Sequence, residues 1–397
     1  MAGRRRVSGT RVVLVLCLLL APLVGCGGRP AADGATAEVQ RLLDRRAAAI
    51  LDRDEAAYLG TGARDRFGNL RAVPLAEWSY RVTGLRRSGA TATAEAELRY
   101  RVRGHDPAPV SAGRTLSLRL DPEGHWYVEA ERPAKGSAAQ LWDQGEVSVV
   151  SGEHSLVLGV GQSRKALRAY AALADRAVPA VSRAWGGRWA GRVVVLVPKS
   201  LAGMAGLLGS PASSYRGIAA VTTGETGARS RAPADRIIVN PEAYGVLGAT
   251  GKQVVLTHEA THVATRAATT AATPLWLSEG YADWVGYLGS GRSPSQAAPE
   301  LSRAVSQGRL PPALPSDADF GFGGDAGELA LAYEGGWLAC RMIAERWGEV
   351  RLVEFYRAVG AHERRAGAVE GALKDVLGTS SARFTEQWRA YLRAQLG

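Results

Sequence analysis

The chain has 397 residues, with 49 basic against 38 acidic side chains and a formal net charge of +11. Arginine heavily outnumbers lysine, but the basic residues form no dense stripe interleaved with aromatics, which argues against nucleic-acid binding. The length points to two domains rather than one.

Residues 1–25 read as an export signal: Arg4, Arg5, Arg6 and Arg11 precede an apolar run over 12–20 that is too short to span a bilayer comfortably. The following Leu23-Val24-Gly25-Cys26 resembles a bacterial lipobox. That resemblance implies cleavage before Cys26 and lipidation of its thiol. The protein would then sit in the cell envelope, lipid-anchored to the outer face of the bacterial cell membrane. Cys17 leaves with the signal and Cys26 carries the lipid, so Cys340 has no cysteine to pair with, and any metal must be held by nitrogen and oxygen.

Residues 26–36 form a small-residue tether. Over 37–58 the spacing of Val39, Leu42, Leu43, Ala47, Ile50 and Leu51 predicts a helix. The period then changes to two over 78–83, 91–102, 115–120 and 126–129, as in antiparallel strands, with a hairpin turn at 121–125. A long helix followed by a curved antiparallel sheet resembles the nuclear-transport-factor-2-like cone fold, expected over 37–131. Such cones bind ligands or pack against a partner domain. His105, His125 and His154 are isolated in loops and expected to be exposed. Residues 132–146, small and polar, read as a linker.

Residues 147–160 read as a hairpin with its turn at 151–153, and Ser163 is placed to cap a long helix to Trp185. Val193 to Val197 form a buried strand. Further strands are expected at 218–221 and 236–240, the latter at the sheet edge above a cleft. From residue 251 the pattern is helical: 251–268, 275–288, 297–306, 328–347, 349–359, 366–376 and 380–395. The Pro/Gly/Asp-rich loop at 310–324 is expected to wall the cleft. The whole is an α+β protein.

Two of the chain's six histidines stand in His258-Glu259-Ala260-Thr261-His262. Side chains at i and i+4 of a helix are neighbours, so both imidazoles can share a metal. Glu259, beside the first of them, can take a proton from water at the open metal position. A catalytic zinc takes three protein ligands, and Glu279, seventeen residues after His262 in Trp276-Leu277-Ser278-Glu279-Gly280, is the candidate third. A glutamate among Trp276, Leu277 and Trp284 is costly to bury without a partner. Asp283, one turn on, can accept the second N–H of His258; the alternative is that it caps the helix or faces solvent.

His-Glu-x-x-His followed by Trp-Leu-Ser-Glu-Gly-x-Ala resembles the gluzincin metallopeptidases, most of all the aminopeptidase-N type and bacterial peptidase MA-like proteins. The resemblance implies a mixed sheet followed by a helical lobe over 147–397, with Zn2+ between them. It implies His258, His262 and Glu279 as ligands and Glu259 as general base. The spacer to Glu279 is a couple of residues shorter than in typical aminopeptidase-N relatives. Downstream, Tyr333-Glu334-Gly335-Gly336 resembles the family's Tyr-Glu-Lys-Gly segment and implies Tyr333 as hydrogen-bond donor to an oxyanion; a core tyrosine at a helix start is the alternative. Both matches span residues 254–350. No Gly-x-Met-Glu-Asn-like segment precedes the zinc helix; the nearest stretch, 217–225, is a second candidate for the edge strand and offers Glu225 as an amine-binding carboxylate or as a plain loop residue, the reading its Gly/Thr/Arg-rich surroundings favour.

The expected function is a membrane-anchored zinc peptidase acting on peptide or protein substrates. The competing expectations are a catalytically inactive envelope-binding lipoprotein, and a hydrolase of a non-peptide amide or ester.

Overall fold

The computed structural model describes residues 31–63, 65–223, 234–321 and 326–397. The export signal at 1–25, Cys26 and Glu225 lie outside them.

The chain opens with helices α1 (Ala31–Asp52), α2 (Glu55–Leu59) and α3 (Asp65–Leu70). An antiparallel meander follows: β1 (Leu75–Ser88), β2 (Thr91–Val102), β3 (Val110–Leu120) and β4 (Trp126–Pro133), paired in sequence order. Strand alternation builds the core, since Ala92, Ala94, Ala96, Leu98, Tyr100 and Val102 of β2 are all buried. Val39, Leu42, Leu43 and Ala47 of α1 are buried in the same core. Two expectations change here. The tether expected to reach residue 36 is helical from Ala31, because Ala35 joins the buried face of Val39 and Leu42. The single helix expected over 37–58 breaks at Arg53, which adopts a left-handed φ of 57° before Asp54 caps α2.

Residues 132–146 are no free linker. A short 3-10 turn, Leu141–Asp143, buries Leu141 and Trp142, and Trp142 packs on Tyr100 (4.9 Å between ring centroids) and Trp78 (5.4 Å). Asp143 receives two 2.9 Å hydrogen bonds from the fully buried Arg114, whose Nε donates to Glu131 at 2.9 Å. Composition suggested a spacer; a buried guanidinium that needs carboxylates on both sides makes the segment part of the core.

The second sheet comprises β5 (Val147–Ser151), β6 (Ser155–Val160), β7 (Val193–Val197), β8 (Ala220–Thr223) and β9 (Arg236–Val239) in the order β5-β6-β7-β9-β8. Strands β6, β7 and β9 run parallel, and β5 and β8 pair antiparallel at the two edges. Helix α4 (Arg164–Trp185) crosses from β6 to β7, with Ser163 Oγ accepting from Ala166 N at 3.1 Å; α5 (Leu201–Leu208) follows β7 and α6 (Pro241–Gly245) follows β9. The cleft-side edge is β8, not the 236–240 strand: all four residues of β9 are buried, as befits an interior strand, whereas Val221, Thr222 and Thr223 are half-buried.

Both faces of this sheet are covered. Val193, Val195, Val197, Ile237 and Val239 pack with α4 and the C-terminal helices. Leu156, Leu158, Val194, Leu196 and Ile238 enter the core of the N-terminal meander. Arg236 Nη1 and Nη2 cross that junction to the buried carboxylate of Asp106 at 2.7 and 2.8 Å.

The helical lobe comprises α7 (Ala249–Thr265), α8 (Leu275–Tyr287), α9 (Pro294–Ala297), α10 (Pro299–Ser306), α11 (Ala326–Trp347), α12 (Glu349–Ala361), α13 (Ala368–Leu377) and α14 (Ser381–Leu396). Among the described residues no helix is long and apolar enough to cross a membrane. Helices α8 and α11 nearly touch through their backbones: a Cβ at Gly336 would stand 2.7 Å from the carbonyl oxygen of Trp276, and one at Gly280 would strike Gly336. Gly336→Ala should therefore cost about 1–3 kcal/mol of stability, the usual range for overpacking. Urea unfolding measures it, and an unchanged midpoint would contradict the close contact.

Candidate metal centre

Helix α7 carries His258, Glu259 and His262, and α8 carries Glu279 and Asp283. The two helices pack closely because Gly286 of α8 bears no side chain against the carbonyl of Val254, which a Cβ would meet at 3.1 Å. His258 Nε2 and His262 Nε2 lie 3.0 Å apart, and Glu279 Oε2 lies 3.2 Å from the first and 3.3 Å from the second. Metal–ligand distances of about 2.0–2.1 Å in a tetrahedron place ligand atoms about 3.3–3.4 Å apart, so three donors in this triangle fit one zinc-sized ion. His258 Nδ1 lies 2.8 Å from Asp283 Oδ1, so Asp283 lies against the imidazole rather than capping the helix. As acceptor, Asp283 fixes the proton on Nδ1 and leaves the Nε2 lone pair for the shared point.

The electrostatics agree with a cation at that point. Burial raises the Glu279 carboxyl, but the charge of His262 and hydrogen bonds from both imidazoles outweigh it and hold it well below the usual carboxylate range. Burial lowers His258, and the charge of Asp283 with hydrogen bonds to Asp283 and Glu279 drives it well above an ordinary histidine. Glu279 therefore stays ionised, and His258 holds a proton between two carboxylates, a place that a metal ion can take over.

Glu259 is buried beside the triangle, and Thr222 of the edge strand donates to its Oε2 at 2.6 Å. Nothing in the sequence marks Thr222, one of two threonines ending an apolar strand. Tyr333 lies about two turns inside α11, not at a helix start; its ring centroid is 6.5 Å from that of His258, and Phe320 holds it edge-on at 5.1 Å. Burial, reinforced by Glu279, Asp283 and Glu259, raises its pKa, so the phenol keeps its proton as a donor.

These groups border a cleft of about 650 Å³, also lined by Val254, Tyr287 and Leu329 and by Arg266, Asp317 and Arg365. Asp317, in the expected wall loop, accepts from Leu275 N at 2.9 Å and so caps α8 where Pro274 cannot. His105, His125 and His154 are not brought to the cleft; His125 is exposed and the other two are half-buried. No family model matches the chain, and no curated protein matches it.

Glu334, next to Tyr333, accepts from the backbone N–H of Leu301 (2.6 Å) and Glu300 (3.2 Å). Burial pushes its carboxyl up to about 7 despite those donors, from an ordinary 4.5. A carboxyl raised on folding stabilises when protonated, so its contribution is complete below about 4.5 and is lost as pH rises through about 7. Melting curves across that window should show the wild type losing ground to Glu334→Gln as pH rises. A constant difference would mean the two amide donors keep Glu334 ionised throughout.

Proposed function

We propose that the protein is a zinc-dependent peptidase. On this reading residues 147–397 form a gluzincin-like catalytic unit, and residues 37–131 a nuclear-transport-factor-2-like domain packed on its sheet. Cys26 carries a lipid that holds the protein at the outer face of the cell membrane. The observation that carries the reading is the triangle of His258, His262 and Glu279 with the Glu259 carboxylate beside it in an open cleft. Zinc bound there would supply Lewis-acid polarisation of a carbonyl group and would lower the pKa of water to about 7.

The chain's own groups do the remaining work. Glu259, one oxygen tethered by Thr222, takes the proton of the attacking water and passes it to the leaving amine. Tyr333, protonated throughout the neutral range, donates to the oxygen on which charge develops. Asp283 holds the tautomer of His258. The half-buried edge strand β8 forms one wall, where an extended peptide can add main-chain hydrogen bonds indifferent to side-chain identity.

Glu259→Gln should retain one zinc per chain and lose ~10³-fold or more in turnover of a mixed peptide library. Zinc in both proteins with cleavage in neither would favour an envelope-binding lipoprotein or a non-peptide amide or ester as substrate; zinc in neither would remove the metal site. Tyr333→Phe should lower kcat ~10²-fold with metal content unchanged. An unaltered rate would return Tyr333 to a packing role.

A further inference from the structure

The metal helix ends at Thr265 and Arg266 caps it in helical backbone conformation, so His258, His262 and Arg266 follow one another at four-residue spacing along one face. Arg266 lines the same cleft with its side chain only 12% exposed. Its Nε donates to Asp235 Oδ1 at 2.9 Å. Among the described residues the two terminal nitrogens have no protein partner, and neither is sealed from solvent. A guanidinium held by one edge, with its other donors unpaired among the described residues, is a preformed fork for a planar anion.

Its place along the cleft is set by the sheet. Asp235 immediately precedes β9, whose Arg236 pairs with Thr223 at the end of the edge strand. Arg266 therefore stands at the Thr223 end of the cleft wall, with Val254 more than three turns back along α7. One helical turn beyond His262 is about 6 Å along the axis, roughly two residues of extended peptide at about 3.3 Å each.

We propose that Arg266 is a specificity-determining residue that binds a substrate carboxylate one or two residues from the scissile bond. The inference rests on the peptidase reading and names its substrate class: peptides with an aspartate or glutamate, or a free terminal carboxylate, at that position. A substrate's free α-amine is repelled from this end of the cleft. Arg365, 39% exposed and paired with Asp317 at the cleft wall, is the outer cation and serves as the control.

The test uses the zinc-loaded full chain and peptide pairs that differ only as Glu against Gln at successive positions, or as C-terminal acid against amide. Ratios of kcat/KM are compared for wild type, Arg266→Gln, Arg266→Lys and Arg365→Gln. The same pairs are titrated calorimetrically into Glu259→Gln, with and without Arg266→Gln, to read binding without turnover. Wild type should prefer the carboxylate about 10- to 100-fold at one position, the range for a charge-assisted pair. Arg266→Gln should bring the ratio near one, while Arg365→Gln leaves it in place. Arg266→Lys keeps the charge beside Asp235 but loses the fork, so a reduced ratio there carries the test if Arg266→Gln misfolds. A preference met by the acid–amide pair assigns the chain terminus; one met by Glu–Gln assigns a side chain. Cleavage without carboxylate preference, or preference surviving in both Arg266 variants, overturns the proposal and leaves the peptidase standing. Arg266-dependent binding without cleavage sinks the peptidase and leaves the carboxylate site; neither cleavage nor preference in binding overturns both.

Discussion

The distance at which α8 lies from α7 and α11 governs where the donor atoms of His258, His262 and Glu279 stand. Glycine makes both approaches possible, Gly286 against the carbonyl of Val254 and Gly280 against Gly336. A triangle with sides of 3.0 to 3.3 Å tolerates little displacement, because a ligand atom moved by an ångström no longer reaches the shared point. The same contact sets Tyr333 facing Glu279 and Asp283 across the α8–α11 boundary. Packing and chemistry are here one constraint.

The N-terminal meander takes part in this constraint at a distance. It covers the face of the second sheet that α4 leaves bare, through Leu156, Leu158, Val194, Leu196 and Ile238. Its interior is filled by Trp78, Tyr100 and Trp142 and by the Arg114–Glu131–Asp143 cluster, and cavities bordering it hold only about 30 and 20 Å³. The domain supports the second sheet by covering that face. The Arg236–Asp106 pair fixes β9 to it, and β9 in turn positions the edge strand that bears Thr222.

Charge is distributed along the cleft in an ordered way. The middle gathers Glu259, Glu279 and Asp283 around two imidazoles, a set expensive to bury unless a cation joins it. Toward the end of α7 the sign changes, with Arg266 and Arg365 each held by one aspartate.

Much of this was legible in the sequence because it is local. The four-residue spacing of His258 and His262 puts them on one helical face, the alternation in β2 gives its buried side, and Ser163 announces the start of α4. Glu279 and Asp283 were legible too, as carboxylates in an otherwise apolar helix. Other features depend on partners far along the chain. That β8 rather than β9 forms the edge, that Thr222 holds Glu259, that residues 141–143 close the N-terminal core, and that Asp235 grips Arg266 by one side are set by strand order and helix docking. Periodicity records which face a residue turns inward; only the folded arrangement decides what waits there, since the contact is made between segments whose spacing in sequence carries no signal.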